Sequence, residues 1–246
     1  MMKLMLGCLF LLMSSAVPAS AQKQFEKDVI QTASGDLEIT FIGHGSFMMQ
    51  HAGTVIQIDP YSKLADYATF PKPDVVLITH QHYDHFDQAA LKALKIRKET
   101  TVILNQKATE NFKGGLVMNN GDTKTIKGIT IEAVPAYNIA HKRDNGQPFH
   151  PKGEGNGYIL TIAGTRIYIA GDTENIPEMK ALKNIDYAFL PMNLPYTMTP
   201  EMVADAAKAF RPKVVYPYHY GDTDTARLVK LLKDSPSIEV RIRRMP

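Results

Sequence analysis

A chain of 246 residues, 44% hydrophobic and 22% charged, has the makeup of a compact globular protein that can bury a sizeable core. Its net charge of +3 is scattered singly, with no basic stripe for nucleic acid and no polybasic patch for a membrane surface. Cys8 is the one cysteine, so a disulfide within the chain is excluded, and if Cys8 is removed with an N-terminal signal any metal must be held by nitrogen and oxygen ligands.

The chain opens on Met1-Met2-Lys3, continues through an apolar stretch over 4–13, and reaches the small-x-small pattern Ala19-Ser20-Ala21. This predicts a signal peptide over 1–21 with the mature start near Gln22, and hence a periplasmic or secreted protein. The apolar part is about ten residues, short of the roughly 20 that span a bilayer. Met5-Leu6-Gly7-Cys8 fits a lipid-attachment box only loosely. Residues 22–36 read as an N-terminal extension and 37–246 as a single domain, with no membrane association once the signal is removed.

From Leu37 the pattern is one of short apolar runs over 37–42, 46–50, 55–58, 75–78 and 102–104, each closed by Gly, Pro, Asp or Asn. Asp87 is placed to cap a helix over 88–96. A second series follows at 123–126, 129–134, 158–162, 166–170, 188–190 and 214–216. Thr199 with Pro200 starts a helix whose apolar face carries Val203, Ala206 and Phe210. Another helix covers 225–232, before a last strand near 238–242. Two strand-rich halves with helices interspersed predict an α+β fold in which two mixed sheets pack face to face with helices outside, a four-layer αββα sandwich. The Gly/Pro-rich loop 138–156 is long enough to imply a purpose, as a lid or a source of site residues.

Chemistry concentrates in Thr79-His80-Gln81-His82-Tyr83-Asp84-His85, directly after the run 75–78. In extended chain the period of two sends His80 and His82 to one side, where they can share a metal ion. Asp84 and His85 follow as the chain turns, and can face a second ion. The same placement at the end of an apolar strand marks Asp172 in Ala170-Gly171-Asp172-Thr173 and His219 in Tyr218-His219-Tyr220. Single residues of these types are often turn formers or satisfied core groups, but three histidines and an aspartate within six positions are not an accident of composition.

These residues resemble the metallo-β-lactamase superfamily, and within it the branch close to the ascorbate-phosphate lactonases and related metal hydrolases. The resemblance extends from about Leu37 to Tyr220. It rests on Gly43-His44-Gly45-Ser46-Phe47, Ile58-Asp59-Pro60, the His-x-His-x-Asp-His run, Gly171-Asp172-Thr173 and His219, in that order. It implies the four-layer fold, with His80 and His82 on one metal, Asp84, His85 and His219 on a second, and Asp172 between them. The cofactors expected are two divalent ions, Zn²⁺ first, with Mn²⁺ or Fe²⁺ as alternatives.

The superfamily's third motif usually offers a histidine just after the strand that is here 131–134. This chain instead reads Val134-Pro135-Ala136-Tyr137-Asn138. His150, in Phe149-His150-Pro151-Lys152-Gly153, is the first candidate to replace it and His141 the second; an incomplete site is the remaining option. The chain also lacks the His-Thr-x-Gly element that thioester hydrolases and true β-lactamases share, which argues against those substrates.

The expected function is a metal-dependent hydrolase in which metal-activated hydroxide attacks an ester, lactone, amide or phosphoester of a small molecule. Asp84 would orient the nucleophile and take its proton, and His44 would reach the substrate or the developing oxyanion. Asp59 would support the ligand loop by accepting hydrogen bonds, although an Asp before Pro60 can also serve the turn alone. His141, Lys142, Arg143 and Lys152 are candidates for binding an anionic substrate. The alternative is a non-catalytic metal-binding module or sensor of the same fold. Nothing in the sequence specifies an oligomeric state.

Overall fold

The computed structural model describes residues 24–110 and 112–246, so the segment read as a signal peptide lies outside the described residues. The first half of the chain forms β1 (Glu26–Thr32), β2 (Gly35–Gly43), β3 (Ser46–His51), β4 (Thr54–Ile58), β5 (Val75–Leu77), helix α1 (Gln88–Ala93), β6 (Thr101–Leu104) and β7 (Leu116–Val117). The second half forms β8 (Thr123–Ile126), β9 (Ile129–Ala136), β10 (Gly155–Ile162), β11 (Thr165–Ile169), α2 (Pro177–Lys180), β12 (Tyr187–Pro191), α3 (Pro200–Phe210), β13 (Val214–Tyr218), α4 (Thr225–Leu232) and β14 (Glu239–Val240).

Each half builds a seven-stranded sheet, in the orders β1-β2-β3-β4-β5-β6-β7 and β14-β13-β12-β11-β10-β9-β8. In both, an antiparallel meander passes into a parallel series, at β4–β5 in one sheet and β11–β12 in the other. The expected four-layer sandwich is therefore the observed architecture.

Alternation along the strands explains the layering, because successive side chains leave opposite faces. Val75 and Leu77 of β5 point into the core between the sheets, whereas Val76 and Ile78 pack outward with Leu91 of α1. On β13, Val214, Tyr216 and Tyr218 point inward, and Val215 outward onto Val203, Phe210 and Leu228 of the outer helices. Strands covered on both faces must be apolar at every position, which is why they were readable as unbroken runs. Thr199 caps α3 by accepting from the Met202 N–H at 3.1 Å, with Pro200 in the first turn. The helix stops at Arg211, in the left-handed region at φ 52°.

Three local expectations change. β1 precedes the strand series that the sequence suggested, inside the segment read as an extension, and pairs with β2 along its whole length. Its pattern is weak because it is an edge strand in which Ile30 is buried and Val29 is 54% exposed. Helix α1 ends at Ala93 rather than residue 96, because Lys95 turns left-handed at φ 47°. The last strand shrinks to Glu239–Val240, and the C-terminal segment beyond it is held by side chains instead. Arg243 grips Asp28 of β1 through Nη2, 2.7 and 2.9 Å from the two carboxylate oxygens, and Tyr216 donates to the same carboxylate at 2.6 Å.

Candidate metal centre

The site residues leave the ends of strands along one rim of the sandwich, and both sheets contribute. Such C-terminal strand ends are where α/β sheets gather ligands. Asp59 follows β4, the run 79–85 follows β5, Asp172 follows β11 and His219 follows β13; His44 sits in the β2–β3 turn. His44, Asp59 and His219 all have left-handed φ, at 53°, 38° and 46°. Non-glycine residues rarely adopt that conformation, and three of them in one site mark stored backbone strain of the kind that aims side chains.

Asp59 ties the ligand loop together. It accepts from the Thr79 N–H at 2.8 Å, the Thr79 hydroxyl at 2.6 Å and His85 Nδ1 at 2.8 Å. Donation from Nδ1 fixes the His85 tautomer and turns Nε2 toward the centre. The turn is closed by the His85 and Phe86 N–H groups, which both donate to the His82 carbonyl, at 3.0 and 2.7 Å.

Two clusters result. In one, His80 Nε2 lies 3.0 Å from His82 Nδ1, and both ring nitrogens can share an ion with His150. Asp172 Oδ2 approaches this cluster at 3.3 Å from His150 Nε2 and 3.8 Å from His80 Nε2. In the other, Asp84, His85 and His219 converge, and His44 lies within reach. There, Asp172 is 3.5 Å from both His85 Nε2 and His219 Nε2, while Asp84 is 3.9 Å from each of the same two atoms. Asp172 thus stands between the clusters.

These residues fit divalent metal ions. His85 Nε2, His219 Nε2 and Asp172 Oδ1 are buried and have no hydrogen-bond partner. Orphaned buried groups of this kind cost about 1–3 kcal/mol each. Separations near 3.5 Å are long for hydrogen bonds, but a tetrahedral ion about 2.0–2.1 Å from each nitrogen would hold its ligands about 3.3 Å apart.

Protonation points the same way. Burial pushes His80 well below the ordinary imidazole range and His219 down to about 4, leaving neutral rings with free lone pairs. Asp172 stays well below the carboxylate range because His219, His85 and His150 outweigh the effect of its burial. His85 is the exception: burial opposes its charge, yet Asp172, Asp59 and Asp84 raise it to about 10. It keeps a proton that a bound ion would replace.

His44 hydrogen-bonds Asp84 Oδ2 through Nε2 at 3.0 Å, and its ring lies over that of His219 with centroids 3.6 Å apart. Of the two candidates for the third motif, the structure brings His150 to His80 and His82. His141 is in neither cluster and instead sits 3.0 Å from Glu174 Oε1.

Asn138, in the stretch that lacks the motif's histidine, accepts from both the His150 N–H at 2.8 Å and His150 Nδ1 at 2.7 Å. Its own amide donates to Glu174 at 3.1 Å and to the Tyr196 carbonyl at 2.9 Å. Glu174, 1% exposed, also accepts from the Ile139, Ala140 and His141 N–H groups, at 2.8, 2.8 and 2.6 Å. Burial alone would raise its pKa, but the N–H groups of Ala140 and His141, the Asn138 amide and the Ile139 N–H outweigh it and keep Glu174 below its ordinary value. Neither Asn138 nor Glu174 was singled out from sequence, although Glu174 stands two residues after Asp172.

The loop cations separate. Lys152 is taken by Glu178 at 2.9 Å and by the Tyr137 hydroxyl at 3.2 Å. Lys142 forms a backbone bridge with Pro148. Arg143 lines a cavity of about 410 Å³ that opens onto His82, Asp84, His150, Asp172 and His219.

Gly45 is a third residue whose role the sequence did not disclose. A Cβ there would lie 2.8 Å from His85 Cε1 and 3.0 Å from Nδ1, closer than real contacts allow. Gly45→Ala is expected to displace the ring from Asp59 and weaken metal binding about 10–100-fold, the effect of losing an outer partner of a ligand. Chelator competition measures the change, and an unaltered affinity would show that the ring does not need this space.

The Beta-lactamase superfamily domain matches residues 38–219. A UPF0173 metal-dependent hydrolase of Nanoarchaeum equitans is 34% identical over 191 residues, 75% of this chain and 84% of that protein. A crystal structure of a candidate metal-dependent hydrolase from Parabacteroides distasonis is 52% identical, with a TM-score of 0.86 over 91% of this chain and 100% of that one. Igni18, a metallo hydrolase from the archaeon Ignicoccus hospitalis, is 27% identical with a TM-score of 0.69, covering 85% of this chain and 96% of its own. With the motif order, the four layers and the rim of histidines and aspartates in agreement, this chain belongs to the metallo-β-lactamase superfamily and is an enzyme of its metal-dependent hydrolase branch.

Proposed function

We propose that the protein is an exported hydrolase with two divalent ions, zinc before manganese or iron, acting on an ester, lactone, amide or phosphoester of a small molecule. The observation that carries the reading is the convergence of the orphaned His85 Nε2, His219 Nε2 and Asp172 Oδ1 beside the cavity of about 410 Å³. His80, His82, His150 and Asp172 would hold one ion; Asp84, His85, His219 and Asp172 the other. When bound, such ions supply Lewis acidity and a water acidic enough to ionise near neutral pH. A nitrogen-rich donor set without thiolate suits zinc and tolerates manganese or iron. The export proposal rests on the sequence pattern of residues 1–21.

The chain's own groups have distinct tasks. Asp84 faces the cavity with one oxygen engaged by His44, so it is oriented to accept the proton of an attacking water. His44 would hold that carboxylate in place, beside the contact to the substrate or the developing oxyanion expected of it. Asn193, which also lines the cavity, offers an amide to a substrate oxygen. The buried rings keep the reaction face closed to bulk water on the side of the sheets.

Metal analysis of the purified protein, joined to assays on an aryl ester, a lactone and a phosphodiester, tests the proposal. Chelation should remove activity and Zn²⁺ or Mn²⁺ should restore it. Bound metal without turnover on any of these substrates would instead indicate a sensor or binding module.

A further inference from the structure

The cavity over the metal centre has a second functional end. Among the described residues, Arg143 is the one Arg or Lys that lines it. The guanidinium lies over the Phe149 ring, 5.1 Å from the centroid, and donates through Nη2 to the Phe149 carbonyl at 3.3 Å. Among the described residues no carboxylate pairs with it, so most of its donors remain open to a ligand. Its backbone is pinned: the Arg143 N–H donates to the Gln147 carbonyl and the Gly146 N–H to the Arg143 carbonyl, both at 2.8 Å. A cation held by a tight turn and a ring face loses little freedom on binding an anion.

Beside it the wall is apolar. Phe149 meets Tyr196 edge to face, with centroids 5.0 Å apart, and Tyr83 lines the same cavity. Tyr83 is 67% exposed and Tyr196 44%, and Ile139 and Leu194, also exposed, adjoin the segments joined by the bond from Asn138 to the Tyr196 carbonyl. Two of the large hydrophobic side chains exposed among the described residues, Tyr83 and Tyr196, therefore line this cavity together with Phe149. Scattered exposed hydrophobics need no explanation, but a cluster around a cavity does. The carboxylates facing the cavity, Asp84 and Asp172, are at the metal end, where divalent ions would overcompensate them.

We infer that the substrate is an amphipathic anion. Its hydrolysable group lies at the metal centre, its apolar body lies on Phe149 and Tyr196, and a carboxylate or phosphoryl group on the far side meets Arg143. This rests on the hydrolase reading and deepens it by naming what the other end of the cavity recognises. Arg143 is a specificity residue here, and it takes no part in bond breaking.

The test uses the zinc-loaded full chain and benzohydroxamate, whose hydroxamate chelates divalent metals, together with its 3- and 4-carboxy and 3- and 4-phosphono derivatives. Calorimetry should show at least one derivative binding about tenfold more tightly than the parent, the scale of one charge-assisted contact. Whether carboxy or phosphono gains more identifies the anion. Arg143→Ala should erase the gain while leaving the parent's affinity and the metal content unchanged, and Arg143→Lys should keep part of it. Raising salt should shrink the gain in the wild type. Tyr196→Ala should weaken the aromatic probes relative to acetohydroxamate. If metal and parent bind normally but no derivative gains, or if Arg143→Ala keeps the gain, the inference falls and the hydrolase reading stands. A chain that takes up no metal and binds no probe overturns both.

Discussion

Asp172→Ala is expected to empty most of the metal centre and to lower turnover by more than about 100-fold, because outer partners of metal ligands alone are worth 10–100-fold and this carboxylate lies between both clusters. Its two oxygens approach His85, His150 and His219 within 3.3–3.5 Å. Without it, the remaining donors fall into two separate groups that share no ligand. Asp172→Asn keeps the shape, loses the charge and turns one oxygen into an N–H₂ donor, so it should be nearly as damaging. Metal stoichiometry by mass spectrometry, measured beside far-UV circular dichroism, separates this from misfolding. Full metal content in both variants would remove Asp172 from the centre.

The second large effect is expected at a residue outside the metal clusters. Glu174→Ala leaves three backbone N–H groups and the Asn138 amide without their acceptor in a buried setting. Each such loss costs about 1–3 kcal/mol, and water entering the gap recovers some of it, so a destabilisation of about 3 kcal/mol is expected. For a chain of this size that lowers Tm by about 6–12 °C. Glu174 also aligns Asn138, which holds His150, so affinity for the metal at the His80–His82–His150 cluster should fall as well. Asn138→Ala isolates the second effect: the backbone N–H groups keep their acceptor, while His150 loses its orienting oxygen and metal affinity drops about 10–100-fold. Equal metal affinity in Asn138→Ala and the wild type would mean that packing alone orients His150.

That chain of contacts also explains what the sequence could and could not disclose. The strand ends were legible because β5, β11 and β13 are apolar on both faces, so the polar residue that ends each run stands out. His80, His82, Asp84, His85, Asp172 and His219 were found on that basis, and the structure gathers all of them. His150 ranks ahead of His141 in the sequence, but what orients it does not show there, because Asn138, which holds it, is itself held by a carboxylate 36 residues away in sequence. Gly45 escaped for a related reason: its significance is the space it leaves for a ring forty positions away, and spacing along the chain carries no trace of that. Edge strand β1 has one inward side chain at full burial and so lacks the alternation that reveals a strand.

The rim receives Asp84 and His85 from the first sheet and Asp172 and His219 from the second. Ions held there cross-link two halves that otherwise meet mainly through apolar side chains. Unfolding that parts the sheets would then also cost the binding of such ions. An ion at about 1,000 times its Kd adds about 4.1 kcal/mol against that separation. The cofactor of the chemistry would in this sense also be a rivet of the sandwich, and metal supply would add to the durability of the enzyme.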